Sequence, residues 1–453
     1  MASTLVVPEL RELLAAGNTH ALREFCERGQ PAVVADLLGG LNPEEIWQVL
    51  QVVESPTRAE IFSQFELELQ ARLVPSIDRE EMARLLEEMP HDLRVDLVQA
   101  LQEEVREDIL PLVARAERAD IRRLASYPED TAGALMTTDY AALPPDSSVR
   151  DALERLRHQA PDRETIYSIY VVDEQRRLIG FVSLKDLILA RPARLVREVM
   201  YTDVISVRAQ QDREEVADVI GHYDLLAVPV VNAENVLVGI ITVDDVVEVL
   251  EEEATEDIYH YGAAGEPVDY LSASPLSIAR QRLPWLMILV LAAFLSGFVL
   301  ERFAWVWTAV APLMIFVPLL MGSGGNAGTQ STTVIIRGLA TGEIALADGF
   351  RVLRQEVTVG LLVGVAMGLL AAGRAWFINP PAGGPGNLYL CITVGLAMVC
   401  AVMVAKTIGG LLPLALKRLG FDPALMSAPL ITTILDSLTL TIYFTLAAVI
   451  MVA

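Results

Sequence analysis

The 453-residue chain carries 59 acids against 35 bases, a net charge of −24. Its mean hydropathy is nevertheless +0.41, with 53% hydrophobic residues. The charge argues against nucleic acid and anionic lipid as partners, and the hydropathy calls for a membrane region. From Leu283 onward six acids face eight bases, which leaves 53 acids and 27 bases in residues 1–282. An acidic front half that attracts cations is therefore joined to an apolar, slightly basic back half.

Cys26, Cys391 and Cys400 show neither metal spacing nor an even framework, which fits a reducing cytosol. The five histidines are scattered. The start, "MASTLVVPELRELL", lacks a basic segment followed by an apolar core, so no cleavable signal is expected. With no nucleophile–base pair, metal motif or phosphate loop, the chain does not read as an enzyme.

In chain order, residues 1–127 place apolar residues at helical spacing in short runs broken by Gly and Pro, such as "ALREFCERG", "PAVVADLLGGL" and "REEMARLLEEMP". Short, similar units predict an all-α superhelical domain with solvated acidic faces. An internal repeat follows. "SIYVVDEQRRLIGFVSLKDLILA" (168–190) matches "AVPVVNAENVLVGIITVDDVVEV" (227–249), and 135–156 matches 199–220 at a different shift. The difference places an insertion around "HQAPDRET". Each unit reads as strand, helix, two short strands, helix, with "DEQRRL" and "NAENVL" as hairpin turns.

This repeat resembles a tandem pair of CBS domains, an α/β unit. The matching residues are Gly180, Ser183, Asp186 and Gly239, Thr242, Asp245. The resemblance makes Ser183, Lys185, Asp186 and Thr242 candidate nucleotide-binding residues at helix starts. The same residue types are also simple helix caps. Beyond the repeat, "EVLEEEATEDIYHYGAAG" packs acids so densely that it repels itself unless cations or basic groups sit near. A largely helical connector to about Ala279 is expected.

Five spans of about 20 apolar residues or more follow: 283–304, 308–336, 355–378, 387–415 and 424–452. Arg280, Arg282, Arg337, Arg351, Arg354, Lys417 and Arg418 flank them on the side that holds the acidic domain if that domain is cytosolic. Three features stand out. Asp436 lies near the middle of the last span; it is an ion site, a partner for a buried cation such as Lys406, or a protonated carboxyl. "MGSGGNAGTQSTTVIIRG" brings Gly325 and Asn326 into span two, either for close packing or to expose backbone carbonyls. Lys406 in span four snorkels, lines a wet cavity or pairs with Asp436.

Taken together, these parts resemble the MgtE family of magnesium channels. The motifs are "AGALMT", "YVVDEQRRLIGFVSLKDL", "VDDVVEVLEEEATEDI", "GSGGNAGTQSTTVIIRGLA", "RLGFDPAL" and "PLITTILDSLTLTIYF". The resemblance implies an N-domain at 1–127, CBS domains at 128–195 and 196–250, a connecting plug helix at 251–279 and a five-helix pore domain at 280–453. It implies a homodimer in a bacterial inner (plasma) membrane, with the N-terminal domains cytoplasmic and a pore between the two membrane halves. Asp436 would select the ion, with Asn326, Gly325 and Thr432 beside it. Mg²⁺ keeps most of its waters, so a wide oxygen-lined site suits it.

The resemblance also implies closure by cytosolic Mg²⁺. Its ligands would be Glu60, Asp92 and Asp96 in the N-domain, Glu214, Asp224 and Asp245 in the CBS pair, and Glu248, Glu253, Glu256 and Asp257 on the connector. Asp422 would tie this sensor to the pore. Three residues depart from the family pattern. Lys406 stands where a neutral polar residue is expected, Ala428 where Asn is common, and Ser168 where ATP-binding members tend to carry Tyr, which counts against ATP as a ligand. Two other functions are weighed: a proton-coupled divalent cation carrier using Asp436 as relay, and a membrane-anchored nucleotide or Mg²⁺ sensor without transport.

Overall fold

The computed structural model describes residues 3–159, 165–268, 270–271, 273–378, 386–423 and 428–452. Most of the insertion expected around 158–165 and the first residues of the fifth span lie outside them. The chain divides into two compact units, Met1–Glu251 and Glu252–Ala453.

The first unit opens with short helices stacked in two rows. In one row α1 (Ser3–Ala15), α3 (Pro31–Leu38), α5 (Ser55–Ser63), α7 (Arg79–Glu88) and α9 (Glu103–Ile109) pack each on the next. In the other, α4 (Pro43–Leu50), α6 (Leu67–Leu73), α8 (His91–Ala100) and α10 (Arg115–Leu124) do the same, while α2 (Thr19–Arg28) packs on α3 and α4. This alternation is the superhelix that the short repeated runs predict. Local sequence sets each start. Asn42 and Glu45 form a reciprocal capping box on α4, and Asp78 accepts from the Glu80 amide on α7. Apolar residues at 3–4 spacing, such as Ile46, Val49 and Leu50, then fall on the buried face.

Two polar ties close this stack. Arg94, only 2% exposed, donates to the carbonyl of Met89 at 2.8 Å and pairs with Glu117. His91 lies between Asp120 at 3.0 Å, Asp139 at 3.4 Å and Glu117 at 3.6 Å. Thr138 contacts His91 and donates to Asp120 at 2.7 Å.

The repeat builds two matching three-stranded sheets. After α11 (Ala132–Leu135), β1 (Tyr140–Leu143), α12 (Val149–Gln159), β2 (Thr165–Val172), β3 (Leu178–Ser183) and α13 (Leu184–Leu189) form the first copy. The second is β4 (Val207–Arg208), α14 (Arg213–Tyr223), β5 (Ala227–Val231), β6 (Leu237–Thr242) and α15 (Val243–Tyr261). In each, the first strand runs parallel to the second, and the second pairs antiparallel with the third. The hairpins coincide in detail. Asp173 accepts from the amides of Gln175 and Arg177, and Asn232 accepts from those of Glu234 and Val236. Arg176 and Asn235 take the same left-handed conformation, at φ 61° and 62°.

The expected helical connector to about Ala279 is shorter. The acidic helix is the continuation of α15 and stops at Tyr261. Gly262, then Ala263 at φ 52° and Gly265 at φ 91°, turn the chain out of the helix.

The second unit holds long helices: α16 (Pro275–Arg302), the short α17 (Ala304–Ala309), α18 (Leu313–Ala340), α19 (Gly349–Trp376), α20 (Asn387–Arg418) and α21 (Ala428–Ala447), the last prolonged by a wider turn over Ala448–Val452. Among the described residues, four are long and apolar enough to cross a membrane: those beginning at Pro275 and Asn387, the segment Leu346–Trp376 and the segment Ala428–Val452. The other, α18, has 28 residues, which is length enough, but its glycines, threonines, Asn326 and Gln330 dilute its hydropathy. It can afford them because neighbours enclose it: Gly324, Gly325, Gly328, Ser331 and Thr332 are all buried. By contrast, no residue of α16 is buried.

Candidate functional site

The conspicuous site of the second unit lies where α18 meets α21. Glycines bring the two backbones together. A Cβ on Gly325 would stand 3.2 Å from Thr432 Cγ2 and 3.8 Å from Asp436 Oδ1, and one on Gly324 would stand 2.6 Å from Thr439 Oγ1. Gly325, Thr432 and Asp436 are thus neighbours in space as well as in expectation. Thr432 donates its hydroxyl to the Pro429 carbonyl at 2.9 Å. Asn326 is exposed, and Asp436 is half-buried. Among the described residues, no side chain hydrogen-bonds or pairs with the Asp436 carboxylate. It is an acid within an apolar helix, open on one side and without a protein counter-charge.

The pairing of Lys406 with Asp436 is not what the fold builds. Lys406 lies on the flank of α18 that faces α19 and α20, 6% exposed. Its Nζ donates to Ser331 Oγ at 3.3 Å, and Ser331 donates to Glu356 Oε2 at 2.6 Å. Sequence reading passed over Glu356, because an acid beside Arg351 and Arg354 looks like an ordinary helix flank.

A second concentration of charge sits where α15 ends. His260 Nδ1 is 3.7 Å from Glu256 and 3.9 Å from Asp422. Burial raises the Asp257 carboxyl above its ordinary range, and the charges of Asp422 and Glu256 push it further the same way. Asp422 therefore meets the connector acids. One turn on, Tyr261 reaches α18: its hydroxyl is 2.6 Å from Thr333 Oγ1. Tyr261 is a further contact that nothing in a lone Tyr after an acidic run singles out.

In the first unit, Glu60 and Asp96 are exposed on α5 and α8, with Asp92 partly buried one turn before Asp96. Glu214 is exposed on α14, and Asp224 ends that helix in the left-handed conformation, at φ 52°. Glu248 is exposed on α15 and Glu253 partly so. Among the described residues, no group of three or more His, Cys, Asp or Glu converges as a metal cage within the chain.

The candidate nucleotide residues cap helices. Ser183 donates to Asp186 at 2.6 Å and accepts from the Asp186 amide at 3.0 Å. Thr242 donates to Asp245 at 2.7 Å. Burial raises the Asp245 carboxyl; the hydrogen bonds of Thr242 oppose this, and the charge of Asp244 adds to it. Lys185 is exposed. Ser168 lies in β2, opposite Ser183.

Comparison with known proteins matches this architecture from end to end. The family model described as a divalent cation transporter matches residues 317–446, that of the MgtE intracellular N domain matches 29–130, and the CBS model matches 132–193 and 196–252. A magnesium transporter from Thermus thermophilus is 41% identical over 98% of this chain and 98% of its own length. One from Enterococcus faecalis is 38% identical over 73% of this chain and 71% of its own. Among solved structures, the cytosolic domain of a Mg²⁺ channel in complex with ATP is 41% identical, covers 53% of this chain and 98% of its own, and superposes with a TM-score of 0.51. With the helical stack, the paired CBS sheets and the glycine-lined acid in their expected order, the chain belongs to the MgtE family.

Proposed function

We propose that this chain carries Mg²⁺ across a membrane as a channel, and that Asp436 is its ion-selecting carboxylate. One observation carries the reading. Asp436 stands open on one side, against Gly325 of a helix whose polar residues need a protein or water environment. A carboxylate there, unpaired among the described residues, binds a cation or is buried at a cost that nothing offsets. The relatives named as magnesium transporters supply the ion. A hydrated divalent cation moving down the membrane potential gains about 4.6 kcal/mol per 100 mV, so the step needs no ATP.

In this reading the functional unit is a homodimer that brings two copies of Asp436 to one pore. Its support is apolar surface left uncovered in one chain: Ile188 and Leu189 on α13, Val247 and Leu250 on α15, and Leu291, Leu295 and Phe298 on α16. In this reading 1–127 and the CBS pair, 128–195 and 196–250, lie in the cytoplasm of a bacterial cell and 280–453 in its inner membrane, joined by a connector whose helix ends at Tyr261. Cytosolic Mg²⁺ closes the pore by neutralising the acids of the N-domain, CBS pair and connector. ATP is a second candidate ligand of the CBS pair: the 41% identical cytosolic domain was crystallised with it, while Ser168 and the capped Ser183–Asp186 pair count against it here.

The test is Mg²⁺ flux into proteoliposomes for the wild type and Asp436→Ala, with internal Mg²⁺ varied. The reading expects wild-type flux that internal Mg²⁺ shuts, and none in the variant. Flux in the variant equal to wild type removes Asp436 from the pore. Flux that follows an imposed pH gradient, without single-channel openings, favours a proton-coupled carrier instead.

A further inference from the structure

Buried Lys406 and Ser331 and half-buried Glu356 form a relay that the pore reading does not use. A lysine 6% exposed within a membrane helix is expensive unless its charge is met. Here Lys406 Nζ donates to Ser331 Oγ at 3.3 Å and Ser331 passes a 2.6 Å hydrogen bond to Glu356 Oε2. The two charges sum to zero, and the hydroxyl joins them across three helices, α20, α18 and α19.

Its position relative to Asp436 gives the relay a role. On one flank of α18, Gly324 and Gly325 lie against Thr439, Thr432 and Asp436 of α21. On the other, Ser331 meets Lys406 and Glu356, and Thr332 donates to the Gly409 carbonyl at 2.9 Å. A Cβ on Gly328 would meet both sides, Leu435 of α21 and the Ala405 carbonyl of α20. Ser331 follows Gly325 by about 9 Å along the helix. Ser331 and the glycines that face Asp436 thus belong to one helix held from both flanks.

We propose that Lys406, Ser331 and Glu356 are positioning residues: a charge-neutral clamp behind α18 that sets the distance between that helix and the Asp436 carboxylate, and with it the ion preference of the pore. The inference rests on Asp436 being the ion site. It differs from a simple stability role in its sign pattern. Removing Glu356 leaves the buried Lys406 uncompensated, and removing Lys406 leaves the half-buried Glu356 so, and the remaining charge recruits a proton, water or a passing ion and shifts α18. Removing both charges takes away the imbalance.

The experiment measures Mg²⁺ and Mn²⁺ flux per folded protein in proteoliposomes for Lys406→Met, Glu356→Gln, the double variant and Ser331→Ala, with melting temperatures in detergent and Asp436→Ala as control. The expectation is a fall of about tenfold in Mg²⁺ flux and a changed Mg²⁺:Mn²⁺ ratio in each single charge variant. Ser331→Ala, which keeps both charges and removes the bridge, should move the ratio the same way. The double variant should return to within about threefold of wild type in both readouts. Lower melting temperatures with unchanged flux and ratio would overturn the proposal, leaving the relay a stability device. A double variant as impaired as the singles would overturn it too. If a single variant fails to fold, Ser331→Ala and the double variant still decide. An Asp436→Ala protein that conducts normally refutes the pore reading itself, a result separate from every outcome above.

Discussion

At the scale of single residues, function and stability use charge in opposite ways. Among the described residues Asp436 has no side-chain partner; a lone acid in an apolar run is visible in the sequence, whereas its pairing with Lys406 stays open there. Lys406 was visible too, but its partner lies fifty positions away on another helix, where one-dimensional reading offers no pairing rule. Asp120 is the stabilising counterpart. Burial alone would raise its carboxyl, but hydrogen bonds from His91 and Thr138 and the charge of Arg123 outweigh it and hold it down at about 2. A lowered folded pKa contributes stability that is full above the unfolded value near 4 and is lost as pH falls through about 2. Asp120→Asn should therefore cost the soluble unit, residues 1–251, on the order of 2 kcal/mol at pH 7. Urea unfolding followed by circular dichroism should show the gap between wild type and variant closing between about pH 4 and pH 2. A gap independent of pH would mean that Asp120 acts through shape alone.

Among the elements, periodicity carried most of the fold. The helical rows, both CBS sheets and four apolar helices follow from spacing that a short window can read. The repeat was legible even in its turns, since Asp173 and Asn232 occupy equivalent positions and make the same hydrogen bonds. Two elements resisted. The connector reads as one acidic helix to about Ala279, yet Gly262 and Gly265 flank a left-handed Ala263 and end the helix at Tyr261, a stop signal that the acidic run overshadows. Helix α18 has the composition of a loop in places and remains helical because α20 and α21 enclose it. Gly409 measures how tight that enclosure is: a Cβ there would stand 2.4 Å from the Gly328 carbonyl oxygen and 3.0 Å from Thr332 Oγ1. Backbone cannot yield as a side chain can, so Gly409→Ala should destabilise the helical unit by about 1–3 kcal/mol. Gly373→Ala, on α19 with nothing within 4 Å, should be neutral or slightly stabilising by helix propensity. Thermal melting of the two variants in detergent checks the pair, and equal melting temperatures would contradict the packing argument.

Across the whole molecule, the net charge of −24 is the quantity that would link a sensor to a pore in the proposed function. The surplus acids are confined to residues 1–282, so the part that meets the cytosol in the proposed topology is also the part that repels itself. Such a body is more compact when divalent cations are abundant and looser when they are scarce, and the transition needs no dedicated cage. What it needs is a place where the repulsion reaches the membrane helices. The end of α15 provides one: Glu256 and Asp257 gather with His260 and Asp422 just before Tyr261 contacts Thr333 of α18. Under the proposed gating, Mg²⁺ that neutralises Asp257 and Asp422 would draw the connector onto the start of the pore helices, and removing the acids would remove the reason for the ion to bind there. Glu256→Ala with Asp257→Ala should accordingly conduct like wild type at low internal Mg²⁺ and stay open at high internal Mg²⁺, where wild-type flux stops. The comparison is made in the proteoliposome assay by titrating internal Mg²⁺ against initial flux. A closure curve in the double variant that overlays the wild type would place the sensing acids elsewhere on the cytosolic surface, whereas a constitutively low flux would show that these side chains hold the open connector in place instead of sensing the ion.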